Sequence, residues 1–290
     1  MLPWFSTIKR QLEQRASQSS LHHALLFSGA AGIGKHVFAN SVATSLLCKS
    51  LGDQGACGEC QSCELITAGS HPDFHIIESE KQIGVDSIRN AIQKLSGTAQ
   101  LGHNKVLIVV AADTMTEAAA NALLKTLEEP TANTYLILLT ESLNRLLPTI
   151  LSRCEKIKLP TPSHSESMAW LTTQGHSSVD DEQLSAYGSA PFKVKAALEE
   201  GEGLTFSDFS EKMSELTSQQ TDALTLANKW QSDAQHVVSW CQQLAHKNYV
   251  ASQTKNSFTQ YQACTEAQKH LLHPGVNKTL VLVTVLKLFS

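Results

Sequence analysis

No apolar run in this chain reaches the ~18–20 residues that a membrane-spanning helix needs, which excludes a helical membrane protein. Met1–Arg10 lacks the apolar stretch of a secretory signal. The seven cysteines are therefore expected as reduced thiols or metal ligands rather than disulfides. A basic excess is missing as well: the formal net charge is −4, which argues against a stand-alone nucleic-acid binder. Internal repeats and low-complexity tracts are absent. What is present is 290 residues, 42% of them hydrophobic, enough for two or three domains with sizeable cores. The expectation is a cytoplasmic machine part with no membrane contact.

One further absence is local. Gly29-Ala30-Ala31-Gly32-Ile33-Gly34-Lys35 fits the phosphate-loop pattern G-x-x-x-x-G-K, but His36 stands where Ser or Thr should follow. In such a loop the glycines let backbone N–H groups close around phosphate oxygens, Lys neutralises them, and the hydroxyl binds Mg²⁺. Imidazole suits Mg²⁺ poorly, because that ion demands small oxygen ligands in octahedral geometry. Gly29, Gly32, Gly34 and Lys35 thus read as a vestigial nucleotide-binding set that has kept its scaffold and lost its metal ligand. For Lys35 two readings stand side by side: residual anion binding at a helix N-terminus, or an inherited lysine with a solvated head.

From about Leu21 to Leu159 strand and helix signals alternate. Apolar runs at Ala24–Ser28, Phe74–Ile77, Val106–Ala112, Thr134–Leu139 and Glu155–Leu159 predict strands, several of them buried on both faces of a parallel sheet. Helical patterns cover Lys35–Leu47 and Val85–Leu95. Thr114-x-x-Glu117 reads as a capping box for a helix that runs to Glu129 and stops at Pro130. Its apolar stripe is Ala120, Leu123, Leu124 and Leu127; Asn121, Lys125 and Glu128 lie opposite, with Lys125 and Glu128 able to pair. Asp113 reads as a solvated turn residue. The fold class is accordingly an α/β P-loop domain.

Pro160-Thr161-Pro162 ends that domain. Helical patterns at Ser163–Thr173, Asp180–Tyr187 and Pro191–Glu199 follow, Gly201-Glu202-Gly203 marks a second joint, and the remainder is expected to be all-α. Val276–Phe289, apolar on nearly every side, predicts a helix packed on both faces, by a partner subunit on one of them. The expected division is 1–160, 161–203 and 204–290.

Cys48, Cys57, Cys60 and Cys63 form C-x8-C-x2-C-x2-C. Four thiolates supply the closed tetrahedral shell of structural Zn²⁺, and the two-residue spacings let neighbouring sulfurs converge on one ion. The alternative is four unrelated reduced cysteines. Cys154, Cys241 and Cys264 read as buried small hydrophobes. His22, His23, His71 and His75 read as ordinary hydrogen-bonded histidines.

Asn121-Ala-Leu-Leu-Lys-Thr-Leu-Glu-Glu-Pro130, Leu151-Ser152-Arg153-Cys154, His71-Pro72-Asp73 and the cysteine quartet together resemble the bacterial clamp-loader branch of the AAA+ family. The likeness is close from about Leu21 to Leu159 and mainly architectural afterwards. It implies a RecA-like AAA+ domain with an inserted zinc module at about 48–63, a small helical lid (161–203) and an all-α collar (204–290) that assembles with other collars. It also implies a part in DNA replication: helping a hetero-pentamer place the sliding clamp on primed DNA for DNA polymerase III.

Within that branch, ATP-hydrolysing motor subunits (gamma/tau) differ from a non-hydrolysing kind. Three departures favour the second. His36 replaces the hydroxyl. The motor's Asp-Glu pair falls on Val110 and Ala111, which neither hold Mg²⁺ nor orient water. The lid motif Gly-Ser-x-Arg ends here as Gly188-Ser189-Ala190-Pro191. ATP/Mg²⁺ hydrolysis by this chain is therefore not expected. The resemblance further implies motor subunits and a clamp-opening delta subunit as partners. It makes Arg153, with Ser152, an arginine finger acting in trans at a neighbour's ATP site. The alternative for Arg153 is a surface arginine paired with Glu155. The alternatives for the whole chain are an active AAA+ ATPase and a zinc-dependent nucleic-acid-binding protein.

Overall fold

The computed structural model describes residues 2–52, 55–79, 81–101, 103–200, 204–273 and 275–290, so the expected joint at Gly201-Glu202-Gly203 lies outside the described residues. The chain packs as two compact units, 1–166 and 167–290.

The first unit is built on a five-stranded, all-parallel sheet of order β2-β3-β4-β1-β5. Its strands are β1 (Ala24–Ser28), β2 (Phe74–Ile77), β3 (Lys105–Val109), β4 (Thr134–Thr140) and β5 (Glu155–Lys158). Every residue of β1 and β3 is buried, which is what continuous apolar runs in a doubly covered parallel sheet require. The helices are α1 (Ser6–Ser17), α2 (Lys35–Leu47), α3 (Gln61–Thr67), α4 (Val85–Leu95), α5 (Glu117–Glu128) and α6 (Pro148–Leu151). In α4 the buried residues are Ile88, Ala91 and Leu95, with Val85 and Ile92 packed beside them.

The third strand is shifted from its expected span. It starts at Lys105, whose ammonium is buried but donates to Leu95 O (2.7 Å), Gly97 O (2.6 Å) and Thr131 Oγ1 (2.8 Å). It ends at Val109, because after Val110 donates to Ile77 O the chain turns through Ala111 (φ 52°) into a 3-10 turn at Ala112–Thr114. Val110 and Ala111 thus lie in the turn beyond the strand rather than within it.

The expected cap of α5 is also displaced. Thr116, not Thr114, accepts the Ala119 amide (3.1 Å), while the Thr114 hydroxyl donates back to Ala111 O (2.9 Å). Thr116 sits directly before the helix, where a hydroxyl meets a first-turn N–H. α5 then stops two residues short of Pro130. Its buried residues are Ala119, Ala120, Leu123 and Leu127, the two leucines worth roughly 1.5–3 kcal/mol each in removed apolar surface.

Three elements of the first unit, a 3-10 turn, α1 and α3, had no clear signal in the sequence. Pro3–Phe5 forms the 3-10 turn leading into α1, and α3 starts directly after Cys60 and carries Cys63, the last cysteine of the cluster.

α7 (His164–Thr173) spans the boundary between the units. The second unit holds α8 (Asp181–Ala186), α9 (Pro191–Glu200), α10 (Phe206–Thr217), α11 (Ala223–Lys229), α12 (Ala234–Ser252), α13 (Lys255–Leu271) and α14 (Lys278–Leu286). Its core gathers Phe209, Trp230, Val237, Cys241, Cys264 and Leu282. In α14 the β-branched residues do form a helix: Leu282, Val285 and Leu286 are buried, while Leu280 is 65% exposed.

Candidate functional site

The phosphate loop joins β1 to α2, at the C-terminal edge of a parallel sheet where such folds bind ligands. Gly29 has no room for a side chain: a Cβ there would lie 2.8 Å from both Ile33 Cδ1 and Leu159 O. Gly34 takes φ +90°, a left-handed value that suits glycine, and so aims the first turn of α2 at the loop.

Lys35, the first residue of α2, turns back on its own loop. Its ammonium donates to Gly29 O (2.9 Å) and Ala30 O (2.7 Å) and lies 3.5 Å from Glu141 Oε1. With its side chain only 10% exposed, the head is stitched into the loop, which corrects the reading of a solvated lysine. His36 faces along α2, its Nε2 3.3 Å from Asn40 Nδ2. From the N-terminal turn, Trp4 Nε1 donates to Ile33 O (3.0 Å), a buried bond that pins the loop from outside. The signal that would have found Trp4 is the aromatic pair Trp4-Phe5 in a short Pro-initiated turn, too weak to read.

Asp113 is likewise not a solvated turn residue. Its carboxylate accepts the Thr140 hydroxyl at 2.9 Å, and that hydroxyl accepts the Ser142 amide at 3.0 Å, closing the end of β4. In the second unit Gly188 and Ser189 both have positive φ (68° and 57°), and Pro191 opens α9.

The four cysteine sulfurs lie within 4.8 Å of one another. Cys48–Cys57 measures 3.5 Å, and Cys48–Cys60 and Cys57–Cys63 both measure 4.0 Å. A tetrahedral ion with metal–sulfur bonds of about 2.3 Å needs sulfurs about 3.8 Å apart, so the group can hold a metal ion and fits Zn²⁺. Cys48 and Cys63 are buried, Cys57 is exposed. Burial raises the Cys48 thiol, and the amides of Ser50 (3.4 Å) and Cys57 (3.3 Å), which point at its Sγ, offset only part of that.

Without a cation the protons distribute unevenly. Burial, then the neighbouring Cys60 and Cys48, push Cys63 up to about 12. Burial would raise Cys60 too, but it is outweighed by the amides of Cys63 and Lys49 and the adjacent thiols, which bring it down to about 6. A bound divalent ion supplies the charge that lets all four ionise together.

A relay joins this module to the sheet. His71 Nδ1 accepts the Asp73 amide (3.1 Å), which leaves Nε2–H to donate to Ser62 Oγ (2.7 Å); Ser62 donates in turn to Leu47 O (2.7 Å). Burial lowers the His71 pKa, which keeps the ring in this neutral form. His22 and His23 hydrogen-bond to Ala24 O and Leu127 O, each at 2.8 Å.

Ser152-Arg153-Cys154 follows α6. Cys154 is buried in the sheet core, where burial raises its thiol to about 11, while Ser152 is exposed and Arg153 is turned outward. The Arg153 partner is not Glu155. Arg153 Nη2 meets Glu128 Oε1 at 2.5 Å, and Nη1 donates to Thr149 O (3.0 Å) and Ser152 Oγ (3.3 Å). Glu128 is therefore engaged with Arg153 rather than Lys125, and Glu155 is taken by Arg15.

A parallel sheet with a phosphate loop after its first strand, a thiolate cluster beside it and a following helical region defines a P-loop protein resembling the AAA+ clamp-loader fold. A solved structure described as a DNA polymerase III, gamma subunit-related protein from Thermotoga maritima superposes with a TM-score of 0.57. The superposition covers 99% of this chain and 98% of that one at 18% identity, so the likeness is one of fold. The family described as "DNA polymerase III, delta subunit" matches residues 5–163. The DNA polymerase III subunit delta' of Pseudomonas aeruginosa is 39% identical over 236 residues, 79% of this chain and 71% of that protein. The Haemophilus influenzae protein of the same name is 40% identical over 186 residues, 63% and 56% of the two chains. The Escherichia coli one is 38% identical over 175 residues, 59% and 52%. Against these last two the match spans little more than half of the relative's length. The chain belongs to the DNA polymerase III subunit delta' family. Among the described residues no helix is long and apolar enough to cross a membrane.

Proposed function

We propose that this chain is a non-hydrolysing subunit of a replicative clamp loader, which completes a neighbour's ATP site instead of running its own. The observation that carries the reading is the contrast between its two phosphate-handling groups. Lys35 is consumed by the carbonyls of its own loop, next to an imidazole where a metal-binding hydroxyl belongs. Arg153 instead stands at the surface on a segment anchored by buried Cys154. A guanidinium is always charged, and its rigid fork of donors suits phosphate oxygens, so it stabilises charge developing on a γ-phosphate.

In this reading residues 161–203 act as a lid and 204–290 as a collar that joins the collars of gamma/tau motor subunits and a delta subunit in a hetero-pentamer in the cytoplasm. The assembly places the sliding clamp on primed DNA. Cys48, Cys57, Cys60 and Cys63 hold one structural Zn²⁺ with no open position and no catalytic part.

The test is Arg153→Ala in the reconstituted assembly. Folding and assembly should persist, while clamp- and DNA-stimulated ATP hydrolysis and clamp loading fall. A finger is worth on the order of 10³–10⁵ at one site, and the loss in the whole complex should be smaller because the other ATP sites remain. Wild-type hydrolysis and loading by the mutant assembly would overturn the proposal.

A further inference from the structure

We infer that Glu128 is the positioning residue of Arg153, fixing how the guanidinium is presented to the phosphates of a neighbouring nucleotide. The inference rests on the reading of Arg153 as a group that acts in trans.

Both ends of the pair are held by the fold. Glu128 is the last residue of α5, next to Leu127, which is 1% exposed in the sheet core. Beyond it the helix is closed by the Glu129 amide donating to Lys125 O (2.9 Å) and then by Pro130. Arg153 leaves α6 between Ile150, fully buried, and buried Cys154. α5 and α6 share one core, through Leu123 and Leu127 on one side and Leu147, Ile150 and Leu151 on the other. The backbones on which the two charges ride are therefore fixed relative to each other.

The contacts on Arg153 lie within the chain and are few. Glu128 Oε1 holds Nη2 at 2.5 Å, and Thr149 O (3.0 Å) and Ser152 Oγ (3.3 Å) accept from Nη1. They engage three of the five donors of a guanidinium. The side chains remain 35% and 47% exposed, so the pair contributes little to folding, and its effect lies in orientation. An unpaired arginine on a surface samples many rotamers, and holding it in one before the phosphate arrives removes that ordering cost from the reaction.

Loss of the carboxylate has two opposing consequences. It loosens the guanidinium and it removes a negative charge next to an incoming anion. Nucleotide binding is then unharmed while turnover falls, a split that simple destabilisation of the subunit does not produce.

The experiment uses the reconstituted assembly with its other ATP sites disabled, so that the site completed by this chain is read alone. Glu128→Ala should lower kcat for clamp- and DNA-stimulated ATP hydrolysis on the order of 10-fold, with KM for ATP unchanged or lower. Glu128→Gln, which keeps the volume and a hydrogen-bond acceptor, should recover part of the loss. In the Arg153→Ala background Glu128→Ala should cost nothing more, because the residue acts only through the arginine. Wild-type or raised kcat for Glu128→Ala, beside a clear loss for Arg153→Ala, overturns the positioning role and leaves the finger standing. A further loss in the Arg153→Ala background assigns Glu128 a structural role instead and also overturns it. No effect of Arg153→Ala removes the finger and the positioning role together.

Discussion

Arg15 grips Glu155 from 140 residues away, Nη1 to Oε1 at 2.5 Å and Nη2 to Oε2 at 2.7 Å, so that α1 is tied to the edge strand β5. The two-pronged geometry is the strong form of an arginine–carboxylate pair. It also takes Glu155 away from Arg153, two residues earlier in the chain, and leaves that arginine to Glu128.

The pair predicts a specific acid sensitivity. The Arg15 hydrogen bond holds the Glu155 carboxyl below its ordinary value of 4.5, against a smaller opposing effect of burial. A depressed carboxyl contributes stability that is complete above the unfolded value and is lost as pH falls through the folded one. With side chains 37% and 28% exposed, the contribution is discounted to about 0.5–1 kcal/mol. Glu155→Gln should therefore lower stability by that amount at pH 7 and converge with wild type in the acid range. Urea unfolding at a series of pH values measures it, and parallel profiles for the two proteins would show that the pair contributes nothing.

The thiolate cluster predicts about one zinc per chain in protein purified without chelator, for a single four-ligand site. Cys63→Ser, which removes a buried ligand, should abolish retention of the metal and loosen the segment between α2 and α3. The His71–Ser62–Leu47 relay should then lose protection in hydrogen exchange, because Ser62 is the immediate neighbour of Cys63. A metal-free, fully folded preparation with four titratable thiols at these positions would refute the site.

The sheet and the cysteine site were legible in sequence for the same reason: their signals are local. β1 and β3 each hold four apolar residues in a row, Ala24–Phe27 and Val106–Val109, and the four cysteines fall within sixteen positions, so that ligands near in sequence are near in space. α1 was not legible, since its buried residues are Leu12 and the stem of Lys9, too few to make an apolar stripe. The end of β3 was misplaced because Val110 and Ala111 are apolar yet belong to a turn, where Ala111 takes φ 52°. Motif matching located Arg153, Lys35 and the loop. It could not give Glu128, Arg15 or Trp4 as partners, because those pairings are created by packing between distant segments.

The phosphate loop is tied to the rest of the first unit by its inner contacts. Trp4 Nε1 donates to Ile33 O at 3.0 Å, and Lys35 ties Gly29 O and Ala30 O to the start of α2. Trp4→Phe keeps an aromatic ring beside Phe5 but leaves the Ile33 carbonyl without this donor. The cost of a buried, unsatisfied carbonyl is about 1–3 kcal/mol. Lys35→Ala removes the donor to two carbonyls and should destabilise the loop in the same direction. Both variants should shift the urea midpoint without changing its slope, the mark of lost stability rather than altered compactness. Neither should change ATP hydrolysis by the isolated chain, which is expected at background because hydroxyl, acidic pair and lid arginine are all missing. Hydrolysis by the purified chain that disappears on Lys35→Ala, with stability intact, would overturn this account and make the loop a working site.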